Sequence, residues 1–115
     1  MAVRSETRFG SISLVGTTYV SVGTVPSATT WNVLLHVANR TAGAVKLRAY
    51  IADSTWSTGE PTGTTFKATI AYDLSVSANG VIQISGFVMG AGEKLVVYAD
   101  TASSLDVSAH GVSIA

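Results

Sequence analysis

The chain has 115 residues, no cysteine, and seven basic residues balanced by seven acidic ones. Without cysteine there are no disulfides and no thiolate metal sites; without net charge or a Lys/Arg run there is no field to gather phosphate groups, so neither nucleic acid nor a membrane is expected as partner. Only 12% of residues are charged while 47% are hydrophobic, against the ~25% charge of an ordinary globular domain, and such a surface is prone to associate with copies of itself or with a larger assembly.

Met1 to Arg8 carries charges of both signs and no apolar stretch, which is unlike a secretory signal and reads as a polar arm. Nothing in the chain nears the ~18 consecutive apolar residues of a membrane span. Residues 9–115 then form one domain, long enough to bury roughly two thirds of its unfolded surface. Phe9 to Val15 and Thr17 to Val22 read as two strands meeting near Gly16. Gly23 to Ser27 breaks the pattern, because Pro26 removes a ladder donor and biases Val25 to extended geometry.

Trp31 to Val37 and Val45 to Ile51 each place apolar residues at every second position, the period of a strand with one face buried. Leu34 sits on the other face of the first, which suggests cover on both sides. Between them Asn39 can bond its own backbone and Gly43 tolerates positive φ, so the pair is expected to be a β-hairpin. Asp53 to Thr65 has no period and collects Gly59, Pro61 and Gly63. Trp56 within it is expected under the loop as a satellite of the core, with an exposed contact as the competing reading.

Phe66 to Leu74 alternates, with Phe66, Ala68, Ile70, Tyr72 and Leu74 expected inward against Lys67, Thr69, Ala71 and Asp73. Ser77 to Gly80 is a turn of the Asn-Gly kind favoured in tight hairpins. Val81 to Met89 is the next strand, Gly90 to Lys94 a turn, and Leu95 to Ala99 another strand. In the last segment Leu105, Val107 and Ala109 share a face before the apolar parity switches to Val112 and Ile114, with Gly111 at the switch, where a β-bulge is expected. About eight antiparallel strands separated by Gly, Asn, Ser and Pro, with no helical period, predict an all-β domain: a single β-sandwich or jelly-roll-like fold.

No motif carries chemistry. His36 and His110 lie in separate strands without ligand spacing around them, where sheet-surface roles explain them. The carboxylates fall at strand ends and in loops. Gly90-Ala-Gly92 opens no helix, so it is a turn and not a phosphate loop, and no Gly-x-Ser-x-Gly elbow occurs. Asn39-Arg-Thr41 fits a glycosylation acceptor, but the turn reading is preferred. No cofactor is expected, and the chain reads as no enzyme. Tyr50 and Tyr98 fall on the polar parity of their strands and are candidates for a contact surface to protein or glycan, with Trp56 beside them.

Val25-Pro26 followed by Thr30, Asn39-Arg40-Thr41 closing a strand, Tyr72-Asp73 with Asn79-Gly80, Gly90 to Ala99 and Val107 to Val112 together resemble a family of small virion structural proteins from tailed bacteriophages, over residues 17 to 115. None of these motifs is catalytic, and no functional residue carries over. The resemblance implies a β-sandwich module made in the host bacterial cytoplasm and built in many copies into a virion. The expected role is a capsid decoration or cement protein bound to the major capsid protein or other virion proteins as a homo-oligomer, a trimer being favoured. A tail, neck or fibre component and a carbohydrate-binding module stacking on Tyr50, Tyr98 and Trp56 are the alternatives. The arm, with Arg4, Arg8 and Phe9, is the segment expected to reach a neighbour.

Overall fold

The computed structural model describes residues 4–115, so Met1 to Val3 of the expected arm lie outside the described residues. Eight strands follow one another: β1 (Arg4–Val15), β2 (Val20–Thr24), β3 (Thr30–Asn39), β4 (Val45–Ala52), β5 (Phe66–Val76), β6 (Val81–Met89), β7 (Lys94–Ala99) and β8 (Leu105–Ile114), with one 3-10 turn at Gly63–Thr65. They make two four-stranded antiparallel sheets, sheet A in the order β1-β8-β3-β6 and sheet B in the order β2-β7-β4-β5. The all-β sandwich expected from the alternating pattern is therefore present, and this strand order is that of a jelly roll. Arg4 to Arg8, read as part of the arm, form the first half of β1 and pair with His110 to Ile114 of β8.

The alternating faces meet between the sheets. Trp31, Val33, Leu35 and Val37 of β3 and Leu105, Val107 and Ala109 of β8 pack against Val45, Leu47, Ala49 and Ile51 of β4 and Leu95, Val97 and Ala99 of β7, all buried. The inner strands are the regular ones. The β3–β8 and β4–β7 ladders run without a break, whereas every ladder involving an edge strand is interrupted.

Several neighbours differ from expectation. Trp31 to Ile51 is not a hairpin, because β3 lies in sheet A and β4 in sheet B. The Asn39–Gly43 turn is a corner between sheets, and so is Ser77–Gly80, which takes β5 of sheet B to β6 of sheet A. A period of two states which side chains point inward, and two strands folded face to face satisfy it as well as two strands side by side. Among the described residues the only strands consecutive in sequence that pair are β4 and β5, joined across the irregular 53–65 segment.

Asn39 does act as a turn-former, and its reach is longer than the sequence suggested. Its side-chain oxygen accepts from the Thr41 amide at 2.9 Å and hydroxyl at 2.8 Å, while Nδ2 donates to the carbonyls of Gly43 (2.9 Å), Val76 (3.0 Å) and Ser77 (3.1 Å). One buried amide thus ties two corners together with its hydrogen-bonding capacity used, and the glycan acceptor reading has no free amide to modify.

Two parities also change. In β5, Leu47 pairs with Leu74 but Ala49 with Ala71, so an extra residue bulges out at Tyr72-Asp73, where Asp73 has φ 52°. Ala71 consequently turns into the core and Tyr72 outward, the reverse of the expected assignment. In β8 no bulge occurs at Gly111, since its register with β3 is unbroken; the extra residue is Phe9, between Arg8↔His110 and Gly10↔Ala109 on β1. Gly111 is required instead by its φ of 150° and by its closeness to β3, where a Cβ would run into the Asn32 carbonyl.

Candidate functional site

The 53–65 segment folds back over the outer face of sheet B. Asp53 starts it: its carboxylate accepts from the Thr55 amide at 2.8 Å and hydroxyl at 2.7 Å, and its own amide donates to the Thr65 carbonyl at 2.8 Å. Those bonds from Thr55, with Lys67 3.8 Å away, hold the Asp53 carboxyl below the usual carboxylate range. Trp56 then lies on Ala52 and Val96, outward-facing residues of β4 and β7 that it buries as a second small core with Tyr19 packed beside it. Its indole donates to the Gly59 carbonyl at 2.8 Å and its own carbonyl accepts from Lys94 at 2.9 Å. The satellite-core reading of Trp56 is the one observed.

Beyond Trp56 the loop delivers Glu60 to the centre of an aromatic cluster around Arg48. Arg48 projects from β4, half-buried, and donates from Nε to Asp73 at 2.8 Å and from Nη1 to the Tyr19 hydroxyl at 3.0 Å and Glu60 at 3.4 Å. Its guanidinium lies 4.3 Å from the Tyr72 ring centre and 5.6 Å from that of Tyr98, and Tyr98 in turn stacks on Tyr19 at 4.4 Å. The β5 bulge makes this possible, because it brings Tyr72 and Asp73 to the face on which Arg48 stands.

The electrostatics follow from that geometry. The hydrogen bond to Arg48 lowers the pKa of Asp73, and Arg48 in turn is held more firmly protonated than usual, by Asp73 first and then by Tyr19. Burial raises the Tyr19 phenol, partly offset by Arg48. Burial also raises Tyr50, and its hydroxyl donating to Glu60 adds to the shift. Every charge here has a partner. The cluster forms a platform with Tyr72 uppermost, 58% exposed.

The expected site residues are divided by the fold. Tyr50 is only 3% exposed, beneath Glu60 and edge-on to Phe66, so it supports the platform without forming its surface. Trp56 is likewise covered, and only Tyr98 of the three keeps a partly open ring. Phe9 stacks flat on Trp31, centres 4.0 Å apart. Arg4 and Arg8 are exposed on the far side of the molecule, along the outer face of sheet A. There an open groove is bounded by Glu6, Arg8, His110 and Val112, and a second by Ser11, His36, Asp106 and Ser108. Among the described residues no three His, Asp or Glu side chains gather as metal ligands.

Sequence reasoning missed Tyr19, Arg48, Glu60, Tyr72 and Asp73 as one cluster. The polar parity of Lys46, Arg48 and Tyr50 pointed to an outward face, but Glu60 arrives from a loop without period and Asp73 through a bulge.

No family model matches this chain, and neither does any curated protein. Among solved structures, the chain is similar to VP2 of infectious bursal disease virus in its subviral particle, with 10% identity and a TM-score of 0.52 over 98% of this chain and 32% of the other. It is similar also to a structure of the Gx strain of infectious bursal disease virus, with 9% identity and a TM-score of 0.56 over the same shares. What is shared is the fold. The chain spans about a third of the length of these neighbours.

Proposed function

We propose that this chain is a non-enzymatic structural protein of a tailed-bacteriophage virion: a decoration or cement protein made in the host cytoplasm and bound to the head lattice as a homo-oligomer, the trimer being the expected form. The observation that carries the reading is a near-neutral jelly roll whose polar cluster is internally saturated, so that what it offers to others is mainly apolar side chains and a tyrosine platform. The similarity of fold to VP2 supports it. The mechanism is mechanical. Apolar contact repeated across joints between shell subunits raises the cost of separating them, and many standard interfaces suffice without one strong contact.

Arg4 and Arg8, exposed along β1, are proposed as the charged margin that orients this apolar contact on the shell. The test is co-sedimentation of the purified chain with heads lacking accessory proteins and, separately, with tails. Saturable binding to heads is expected, weakened at least ~10-fold when Arg4→Glu and Arg8→Glu reverse two charges in the contact. Binding to tails alone would move the protein to the tail or neck, and binding to neither would overturn the virion reading. The carbohydrate alternative loses ground because Trp56 and Tyr50 are covered, and a glycan panel should leave Trp fluorescence unchanged.

A further inference from the structure

The two flanks of the sandwich are unlike, and the difference locates a surface. Among the described residues six large hydrophobic side chains are exposed, and five of them, Phe66, Tyr72, Leu74, Val81 and Val88, belong to the edge strands β5 and β6. These strands border the same flank, one from each sheet. Val81 (57% exposed) and Val88 (59%) form its sheet A rim, since they pair with the outward-facing Ala38 and Asn32. Phe66 and Tyr72 form the sheet B rim. Between the rims Ile70, Ile82, Ile84 and Phe87 touch the core but remain partly open.

We infer that this flank is the surface through which copies of the chain bind one another, which rests on the homo-oligomer of the proposed function and assigns it a place. Charge selects the occupant. Over residues 66–89 the only charged side chains are Lys67 and Asp73, and each is already ion-paired within the chain, with Asp53 at 3.8 Å and Arg48 at 2.8 Å. A flank with no spare charge neither attracts a charged partner nor repels its own copy, and the whole chain is neutral as well.

Size agrees with this. Two strands of this length bound a band roughly 30 Å long and 20 Å wide, approaching the ~800 Å² that each partner gives to a standard interface. The contact is through side chains, not by adding strands: the unpaired Gly86 interrupts the β6 ladder and the Tyr72-Asp73 bulge that of β5, as protected edges do. The β5 rim carries large rings and the β6 rim two valines, so one copy's β5 rim meets its neighbour's β6 rim in a heterologous contact, which makes a closed ring when the rotation between copies closes and a filament when it does not.

Sedimentation equilibrium over a wide concentration range tests this, with head binding measured on the same samples. The wild-type chain should be a closed oligomer. The pair Val81→Asp and Val88→Asp should weaken association at least ~100-fold by burying unpaired charge, with far-UV circular dichroism unchanged and melting equal to wild type at dilutions where both chains are dissociated. Leu14→Asp, at the sixth exposed hydrophobic residue but on the opposite flank, should leave the mass as it is. Should the aspartates prevent folding, Val81→Thr with Val88→Thr should still weaken association several-fold. A wild-type chain that stays monomeric, flank variants with unaltered mass, or a Leu14→Asp effect equal to theirs would overturn the inference. A monomer that still binds heads would leave the virion reading standing, and an oligomer that ignores heads would leave this one.

Discussion

The flank formed by β1 and β2 is closed where that of β5 and β6 is open, and the means of closure are two glycines and a ring. At Gly10 a Cβ would strike the Val22 carbonyl, and at Gly23 it would crowd the Phe9 carbonyl at 3.1 Å and the Trp31 ring at 3.4 Å. The backbones of β1 and β2 therefore approach closely, and beside them Phe9 and Trp31, both of sheet A, stack flat, 6° from parallel. On the other flank Gly86 has no atom near where a Cβ would stand. The lesson is that one sandwich can seal its core on one side by backbone approach and leave apolar side chains open on the other. Closeness on the first side stabilises the fold, and the open second side is the one proposed to bind a copy.

Substitutions can break this contrast. Trp31→Ala removes the ring that Phe9 covers and should cost about 3–5 kcal/mol in urea denaturation. Gly10→Ala forces a methyl group between β1 and β2 and should cost about 1–3 kcal/mol. The same change at Gly86, with φ 84° and open space, should cost only the left-handed strain, about 1 kcal/mol, so the two glycine variants compare the flanks directly. Val88→Thr should shift the stability of the dissociated chain by less than about 0.5 kcal/mol.

Acid sharpens the comparison from the side of the Arg48 cluster, which braces β5 against the loop. The folded-state pKa of Asp73 lies below its unfolded value because Arg48 donates to it. Its contribution is therefore complete above the ordinary carboxylate range and is lost as pH falls through the depressed value. Arg48→Met should be less stable than wild type at neutral pH, and the two should converge in acid; melting curves across the acid range will read this. Parallel curves at all pH values would mean that the pair does not hold the β5 rim.

Strand existence and inward faces were largely legible in the sequence, because burying one face of a sheet imposes a period of two on Trp31 to Val37, Val45 to Ile51 and Leu105 to Ala109. Partners were not. Asn39 and Asn79-Gly80 mark sharp turns whether the chain reverses within a sheet or crosses to the other one. Nor were the bulges at Phe9 and Tyr72-Asp73 readable, since an extra residue in an edge strand changes parity without a change in composition. This is also why the cluster escaped notice: Arg48 stood on the expected face, but two of its partners came by a bulge and a loop.

One feature of sheet A bears on how the molecule comes into being. β8, the last strand in chain order, lies between β1 and β3 and pairs with both along nearly its whole length. Until it arrives, β1 has no ladder partner and β3 has only β6. Such distant pairings place folding in the millisecond-to-second range of sandwich proteins, and the central seam of the sheet forms only after some hundred residues of chain are available. A chain cut after Ser104 would retain most of the core-forming residues and still lack the strand that joins them.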